Sequence, residues 1–461
     1  MKLTTFNILP KIKTFRTITL DRFIDPEIIF SYLSAKNYSA LLCGRGNLDN
    51  SHFAFIGIQP FLHLYHNKEE AIIKANEKKK VALSIDPFQL LREALKFYTV
   101  EAQPFPISLW GAIGYLSYEA AHFIEDLPKT TIDDLNMPIM EMVYYKDFLI
   151  FDYQKEEVFL IQADLGSGFN DPQEIKRLFT KKGIGSIGSY SVDQPKSCCS
   201  REEYTILVKK IIDYIKKGDV YEVNLSHRFE AAYQGNPYGI FFNLYRINPA
   251  PFSAYLNFGD NVIISNSPER FLKAEGSWVE TRPIKGTIAR GKNREEDLKN
   301  RIFLANSEKD EAELSMIVDL LRNDLGKVCE YGSVRVREHK RIEGFSNVWH
   351  LISIIEGKIR KEEDYSSLIR ACFPGGSITG CPKIRSMEII DELEKYARNI
   401  YTGMIFIAND KRLDSNIVIR TIVAKNGTLY FSVGGAVVYD SNPEREYYET
   451  LEKAQSILEA I

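Results

Sequence analysis

The run NIVIRTIVAKNGTLYFSV, Asn416 to Val433, holds two apolar stretches of strand length joined at Lys425-Asn426-Gly427. Asn-Gly supplies the positive-φ conformations of a tight hairpin, so the run predicts two neighbouring antiparallel strands. In Asn416 to Val423 both faces are apolar, with Ile417 and Ile419 on one and Val418 and Ile422 on the other. Such a strand is covered on both sides, and Arg420 then points into a covered layer where it must meet an anion. A structural ion pair and a ligand anion both satisfy that need. Downstream, Gly434 and Gly435 end the strand; lacking Cβ atoms, they either admit a ligand carboxylate to backbone N–H groups or mark a bend.

Working outward, His52 to Ile58, Val143 to Asp152 and Glu157 to Ala163 are further runs of strand length, whereas Pro87 to Tyr98 has helical spacing. Helices interspersed among hairpins predict an α+β fold with large antiparallel sheets and argue against a Rossmann-type parallel sheet. The segment Lys181 to Ser200, opening KKGIGSIGSYSVDQPKS, is the best linker; it divides the chain into 1–188 and 197–461.

Composition excludes whole classes of function. The 461 residues carry 59 basic and 62 acidic side chains, a net charge of -3, so nucleic acid and anionic lipid are not expected partners. No apolar run approaches the roughly 18 residues that span a bilayer, and the start lacks a secretion signal, so a cytoplasmic location is expected. The six cysteines are scattered with no C-x-x-C, which reads as reduced thiols rather than zinc ligands or disulfides.

Chemistry gathers after the linker. From Ser307 to Leu325, Leu314, Ile317, Val318, Leu321 and Leu325 form a helical stripe, and extending it backwards brings Asp310 and Glu313 onto the same face. Asp310 also suits a capping box with Ser307, so cap and metal contact stay open for it. A second acid pair, Glu446 and Glu449, opens a helix begun by Asn442 and Pro443, whose apolar face is read as Tyr447, Leu451, Ala454, Leu458 and Ile461. Taken alone these two are first-turn acids; two such pairs in one chain point to oxygen ligation of Mg²⁺, which takes one or two carboxylates and leaves room for an anionic substrate. His350, in the apolar run Asn347 to Ile354, is either a satisfied core histidine or a site residue. Lys285, between Pro283 and Gly286, is either a solvated loop lysine or a nucleophile in a desolvated pocket. Gly375 to Lys383, GGSITGCPK, lacks the Walker spacing because Cys381 and Pro382 intervene, which rejects an NTPase.

Together these strings resemble the chorismate-utilising enzymes, the family of the anthranilate, aminodeoxychorismate, isochorismate and salicylate synthases. The blocks are NPAPFSAYL (248–256), SPERF (267–271), RPIKGT (282–287), the DEAELSMIVDLLRND helix, SNVWHL (346–351), CFPGGSITGCPKIRSMEIIDELE (372–394), YTG (401–403), IRT (419–421) and EYYET (446–450). Before the linker, SHFAFIGIQP, WGAIGYLSYEA and the Met137 to Asp152 strand are similar to the amino-terminal domain of the glutamine-dependent members. The resemblance implies sheets packed as a sandwich with helices outside.

It also implies roles. Glu313 and Glu449 would ligate Mg²⁺, assisted by Asp310 and Glu446, and the metal would hold the ring carboxylate of chorismate. Tyr401, Arg420 and the backbone at Gly434 and Gly435 would hold the enolpyruvyl carboxylate, with Lys383 a further substrate contact. Thr287 and His350 would line the ring near the departing C4 hydroxyl, and Glu269 would protonate it. Lys285 separates the members: those with alanine here aminate C2, whereas those with lysine use it to attack C2, after which ammonia adds at C4 and expels it. The lysine must be neutral to attack, so its pocket should depress its pKa. The implied reaction is C4 amination of chorismate for 4-aminobenzoate and folate. The C2-aminating, anthranilate-forming reaction is the alternative, and an inactive scaffold binding tryptophan or chorismate is the reading from another class. Glu222 stands where glutamine is more usual; a lysine near here marks the water-adding members, and its absence argues against them. The tryptophan-inhibition signature survives only as Leu41-Leu42-Cys43-Gly44. With the length occupied by these motifs, ammonia is expected from a separate glutamine amidotransferase subunit, in a heterodimer, or from solution.

Overall fold

A computed structural model describes residues 9–44, 52–75, 79–100, 103–181, 183–185, 187–345 and 348–461. The chain start, the motif residues Ser51, Ser346 and Asn347, and the linker residues Lys182 and Ser186 lie outside them.

The described strands join in one hydrogen-bonded network whose ladders are antiparallel. The long strand Met140–Asp152 shows how the network is covered on both faces. Its alternate residues part company: Phe148 and Ile150 enter one core, Leu149 and Phe151 the other. Helices close each core from outside. The helix Glu308–Gly326 sends Leu314, Ile317, Val318, Leu321 and Leu325 into the first, as its spacing predicts. The C-terminal helix Pro443–Ala460 sends Ala454, Ile457 and Ala460 into the second.

The two sides of the linker share both sheet and core. Ala40–Cys43 pairs with Phe252–Phe258, and Ala112–Leu116 pairs with Met404–Ala408. The first core mixes Leu62 and Tyr144 with Leu314 and Ile405. The linker itself contributes a short strand, Tyr190–Val192, laid against Tyr233–Gly235.

Local readings differ from the structure at three places that bear on function. The hairpin turn is the two residues Asn426 and Gly427, both at positive φ, between Thr421–Lys425 and Thr428–Val437. The run Asn416 to Val423 is not one strand: the first strand stops at Ile417 and the chain kinks at Arg420, whose φ is 50°. The kink is held because Asn266 donates its N–H to the Arg420 carbonyl at 3.1 Å and Val418 donates to Gly403 at 3.0 Å. Gly434 and Gly435 lie inside a strand rather than at its end, opposite Ser226 and Leu225.

The C-terminal helix is also rotated from its expected orientation. Its buried stripe is Glu446, Thr450, Ala454, Ile457 and Ala460, while Leu458 is exposed. On this face Thr450 meets the buried His227, whose Nε2 lies 2.9 Å from the threonine Oγ1. The rotation carries Glu446 inward.

Candidate active site

Lys285 sits in the short strand Ile284–Ala289, paired with Val348–Lys358. The register shifts between Lys285 and Thr287, at Gly286, whose φ is +74°. A Cβ at Gly286 would come within 2.9 Å of Asp310 Cγ, so only glycine lets the helix Glu308–Gly326 pack this closely. The bulge turns Lys285 inward, where its side chain is 9% exposed and donates to Glu222 Oε1 at 2.7 Å. Glu313 Oε2 is 4.0 Å away. Burial alone would lower the lysine pKa, but Glu222, Glu313 and Glu269 outweigh it and hold the amine above its ordinary value. This corrects the expectation of a depressed pKa: a lysine ringed by carboxylates rests as the cation.

Glu269, 4% exposed, follows the strand Asn261–Ser267. Burial raises its pKa to about 7, against the hydrogen bond that Ser377 Oγ donates to Oε1 at 2.8 Å and the charge of Lys285. A carboxyl that keeps its proton near neutrality can serve as an acid. Ser377 belongs to GGSITG, so the string rejected as a phosphate loop has a definite task here.

His350 and Thr287 face each other across the ladder, Thr287 Oγ1 lying 2.8 Å from His350 Nδ1. The other ring nitrogen, Nε2, is buried without a hydrogen-bond partner among the described residues. Burial, aided by the charge of Arg420, lowers the imidazole pKa to about 3, so the ring is neutral. Arg420 in turn is depressed by burial alone, and no carboxylate pairs with it among the described residues. A desolvated guanidinium without a protein anion leaves the ligand-anion reading of Arg420 in place over the structural ion pair.

Tyr401 is 8% exposed, and its hydroxyl lies 3.0 Å from where a Cβ on Gly434 would stand. Its loop is braced by Arg398, which binds Glu394 at 2.6 Å and the Asn224 carbonyl at 2.7 Å. Glu119, from the amino-terminal side, accepts the Asn399 N–H. At Gly435, a Cβ would stand 3.7 Å from Glu446 Oε2 and 3.8 Å from Glu449 Oε1, so the C-terminal acid pair lies over the glycine step.

Lysines accompany both acid pairs. Lys309 Nζ lies 3.6 Å from Glu313 Oε1, and its charge acts also on Glu446 and Glu449. Lys453 holds Glu449 at 2.9 Å. Burial raises Glu446, helped by the charge of Glu449, whereas for Glu449 burial is outweighed by Lys453 and Lys309 and its pKa falls. For Asp310, both open readings keep a footing: Ser307 Oγ accepts its N–H at 3.3 Å, and its carboxyl packs over Gly286.

Lys383 is engaged within the protein. Its amine is committed to Asp324 Oδ2 at 2.5 Å and the Cys372 carbonyl at 2.9 Å. Asp324 is 11 residues beyond Glu313 on one helix, roughly 16 Å along its axis. Lys383 therefore ties its helix to the helix Glu308–Gly326. Sequence reasoning missed the Lys285–Glu222 contact, the support of Glu269 by Ser377, and the counter-charges Lys309 and Lys453. The unusual glutamate at 222 was the signal for the first.

The fold brings together a buried lysine, a carboxyl raised by burial and a guanidinium with no carboxylate partner among the described residues. A family model for chorismate binding enzymes matches residues 41–459, and the chain belongs to that family. It is 37% identical to aminodeoxychorismate synthase component 1 of Escherichia coli over 443 residues, 94% of this chain and 96% of the relative. It is 32% identical to anthranilate synthase component 1 of Acetivibrio thermocellus over 479 residues, 99% and 96% of the two chains. Among solved structures, anthranilate synthase component I from Streptococcus pneumoniae superposes with a TM-score of 0.78 at 27% identity, covering 96% of this chain and 99% of that one.

Proposed function

We propose that this protein aminates chorismate at C4, yielding 4-amino-4-deoxychorismate for 4-aminobenzoate and folate synthesis, as component I of an aminodeoxychorismate synthase. The observation that carries the reading is the buried Lys285 amine, held by Glu222 and near enough to Glu269 for their charges to interact, with Arg420 lacking a carboxylate partner among the described residues. Several aminodeoxychorismate synthase component 1 relatives at 37–39% identity support it. The double displacement runs as follows. Glu222 takes a proton from Lys285 Nζ; the neutral nitrogen bonds to C2 as the C4–O bond breaks, and Glu269 gives its proton to the leaving hydroxyl, which departs as water. Ammonia then bonds to C4 while the C2–Nζ bond breaks. The proton shed by the new amine restores Glu269, and Glu222 returns its own to Lys285. Neutral His350, hydrogen-bonded to Thr287, lines the ring without adding charge.

Arg420 holds one substrate carboxylate. Arg420→Met is expected to raise KM for chorismate by about 30-fold, ~2 kcal/mol, with kcat changed far less; an unaltered KM in steady-state assays would remove Arg420 from the anion pocket.

Mg²⁺ would be held by the acid pairs, whose carboxylates do not stand together as a formed metal cluster among the described residues. Glu313 and Glu449, with Asp310 and Glu446, offer only oxygen donors, and Lys309 already places one positive charge where it acts on three of them. The ion, when bound, supplies a positive charge that grips a substrate carboxylate. Chelation is expected to abolish turnover, and Glu449→Gln to raise the Mg²⁺ concentration for half-maximal rate by about tenfold, ~1.4 kcal/mol. An unchanged Mg²⁺ titration would remove Glu449 from the metal site. The component-I reading also brings a partner, a glutamine amidotransferase that delivers ammonia, and a cytoplasmic place of action. The test of the function is the product from chorismate, Mg²⁺ and ammonium: 4-aminobenzoate after a lyase is added supports it, and anthranilate overturns it.

A further inference from the structure

Glu222 has two carboxylate oxygens and uses one. Oε1 accepts from Lys285 at 2.7 Å, whereas Oε2 is buried with no hydrogen-bond partner among the described residues. The residue is 0% exposed. Nothing about the backbone is loose enough to let the side chain escape: Glu222 opens the strand Glu222–Gly235, its carbonyl accepts from Ser386 Oγ at 3.0 Å, and it is paired with Cys381. A buried acceptor left unsatisfied costs about 1–3 kcal/mol, more when charged, so a site that keeps one has a donor in prospect.

The nature of that donor follows from the substrates, and this step rests on the amination reading. Chorismate offers chiefly acceptors, two carboxylates and an ether, with a single hydroxyl donor that Glu269 serves. Ammonia has three N–H donors and one lone pair. Donating one N–H to Oε2 leaves the lone pair free to face the ring, while Oε1 keeps Lys285 trained on the same ring. We propose that Glu222 Oε2 is the docking point of the incoming ammonia, so that one carboxylate positions both nitrogens of the double displacement. A glutamine here would present one acceptor oxygen to two donors, and its NH₂ would face the ammonia N–H groups.

The test is steady-state kinetics of the full chain with ammonium chloride as nitrogen source. Glu222→Gln is expected to raise KM for ammonium about tenfold, leave KM for chorismate within about twofold, and leave the amino group at C4. A loss confined to kcat, with KM for ammonium unchanged, overturns the proposal: Oε2 then faces a structural water and Glu222 serves Lys285 alone. If the glutamine variant does not bind chorismate, Glu222→Asp, which keeps the charge but withdraws the carboxylate by one methylene, carries the same comparison. Amination at C2 by the unaltered chain would overturn the function and still leave the ammonium KM to decide this point.

Discussion

Replacing Lys285 with alanine is expected to lower C4 amination on the order of 10³-fold, about 4 kcal/mol of barrier, and to turn what activity remains toward C2. The size follows from what is removed. Without a nucleophile on the protein, C2 is free for ammonia itself, and direct attack there gives the anthranilate series. Chromatography of the products resolves both changes in one assay. An unchanged rate and product would show that Lys285 is a structural cation, held by Glu222 only to neutralise it. Glu222 is itself left without its partner in this variant, so part of the loss reports that broken pair, and chorismate binding measured in parallel separates the two.

The lysine also shows where sequence stops being informative. RPIKGT marks Lys285 and leaves it either solvated or desolvated, and burial taken alone lowers an amine pKa. The charge that reverses the sign comes from Glu222, 63 residues earlier, and from Glu313 on a helix beyond. No local pattern carries that juxtaposition. Much of the fold was local and therefore legible: the stripe from Leu314 to Leu325 and the helix from Pro87 lie where their periodicity puts them, and the Asn-Gly pair marks its hairpin turn to within one residue. The misreadings arose where tertiary contacts override period. Arg420 breaks its strand because neighbouring backbone groups capture the kink, and the last helix turns Glu446 inward to seat Thr450 against His227.

Replacing Glu269 with glutamine is expected to cut turnover by about 10²- to 10⁴-fold, the range for losing a general acid. Gln is nearly isosteric and still accepts the Ser377 hydroxyl, so the fold should persist; only the proton is gone. The pH dependence follows from the sign of the shift. Burial raises this carboxyl to about 7, and the active form is the protonated one. At constant free ammonia, kcat/KM for chorismate should be level below pH 7 and fall tenfold per unit above it, and the glutamine variant should lack that limb. A limb of unchanged position in Glu269→Gln would assign it to another group, and a rate that rises with pH instead would mean that Glu269 works as the carboxylate.

The ring position of the new nitrogen tests the central claim most directly. The full chain is incubated with chorismate, Mg²⁺ and ¹⁵N-ammonium, and the product is examined by NMR before any second enzyme is added. The account predicts ¹⁵N bonded to C4 with the enolpyruvyl group still attached; ¹⁵N at C2, or an aromatic product that has lost the enolpyruvyl group, would contradict it.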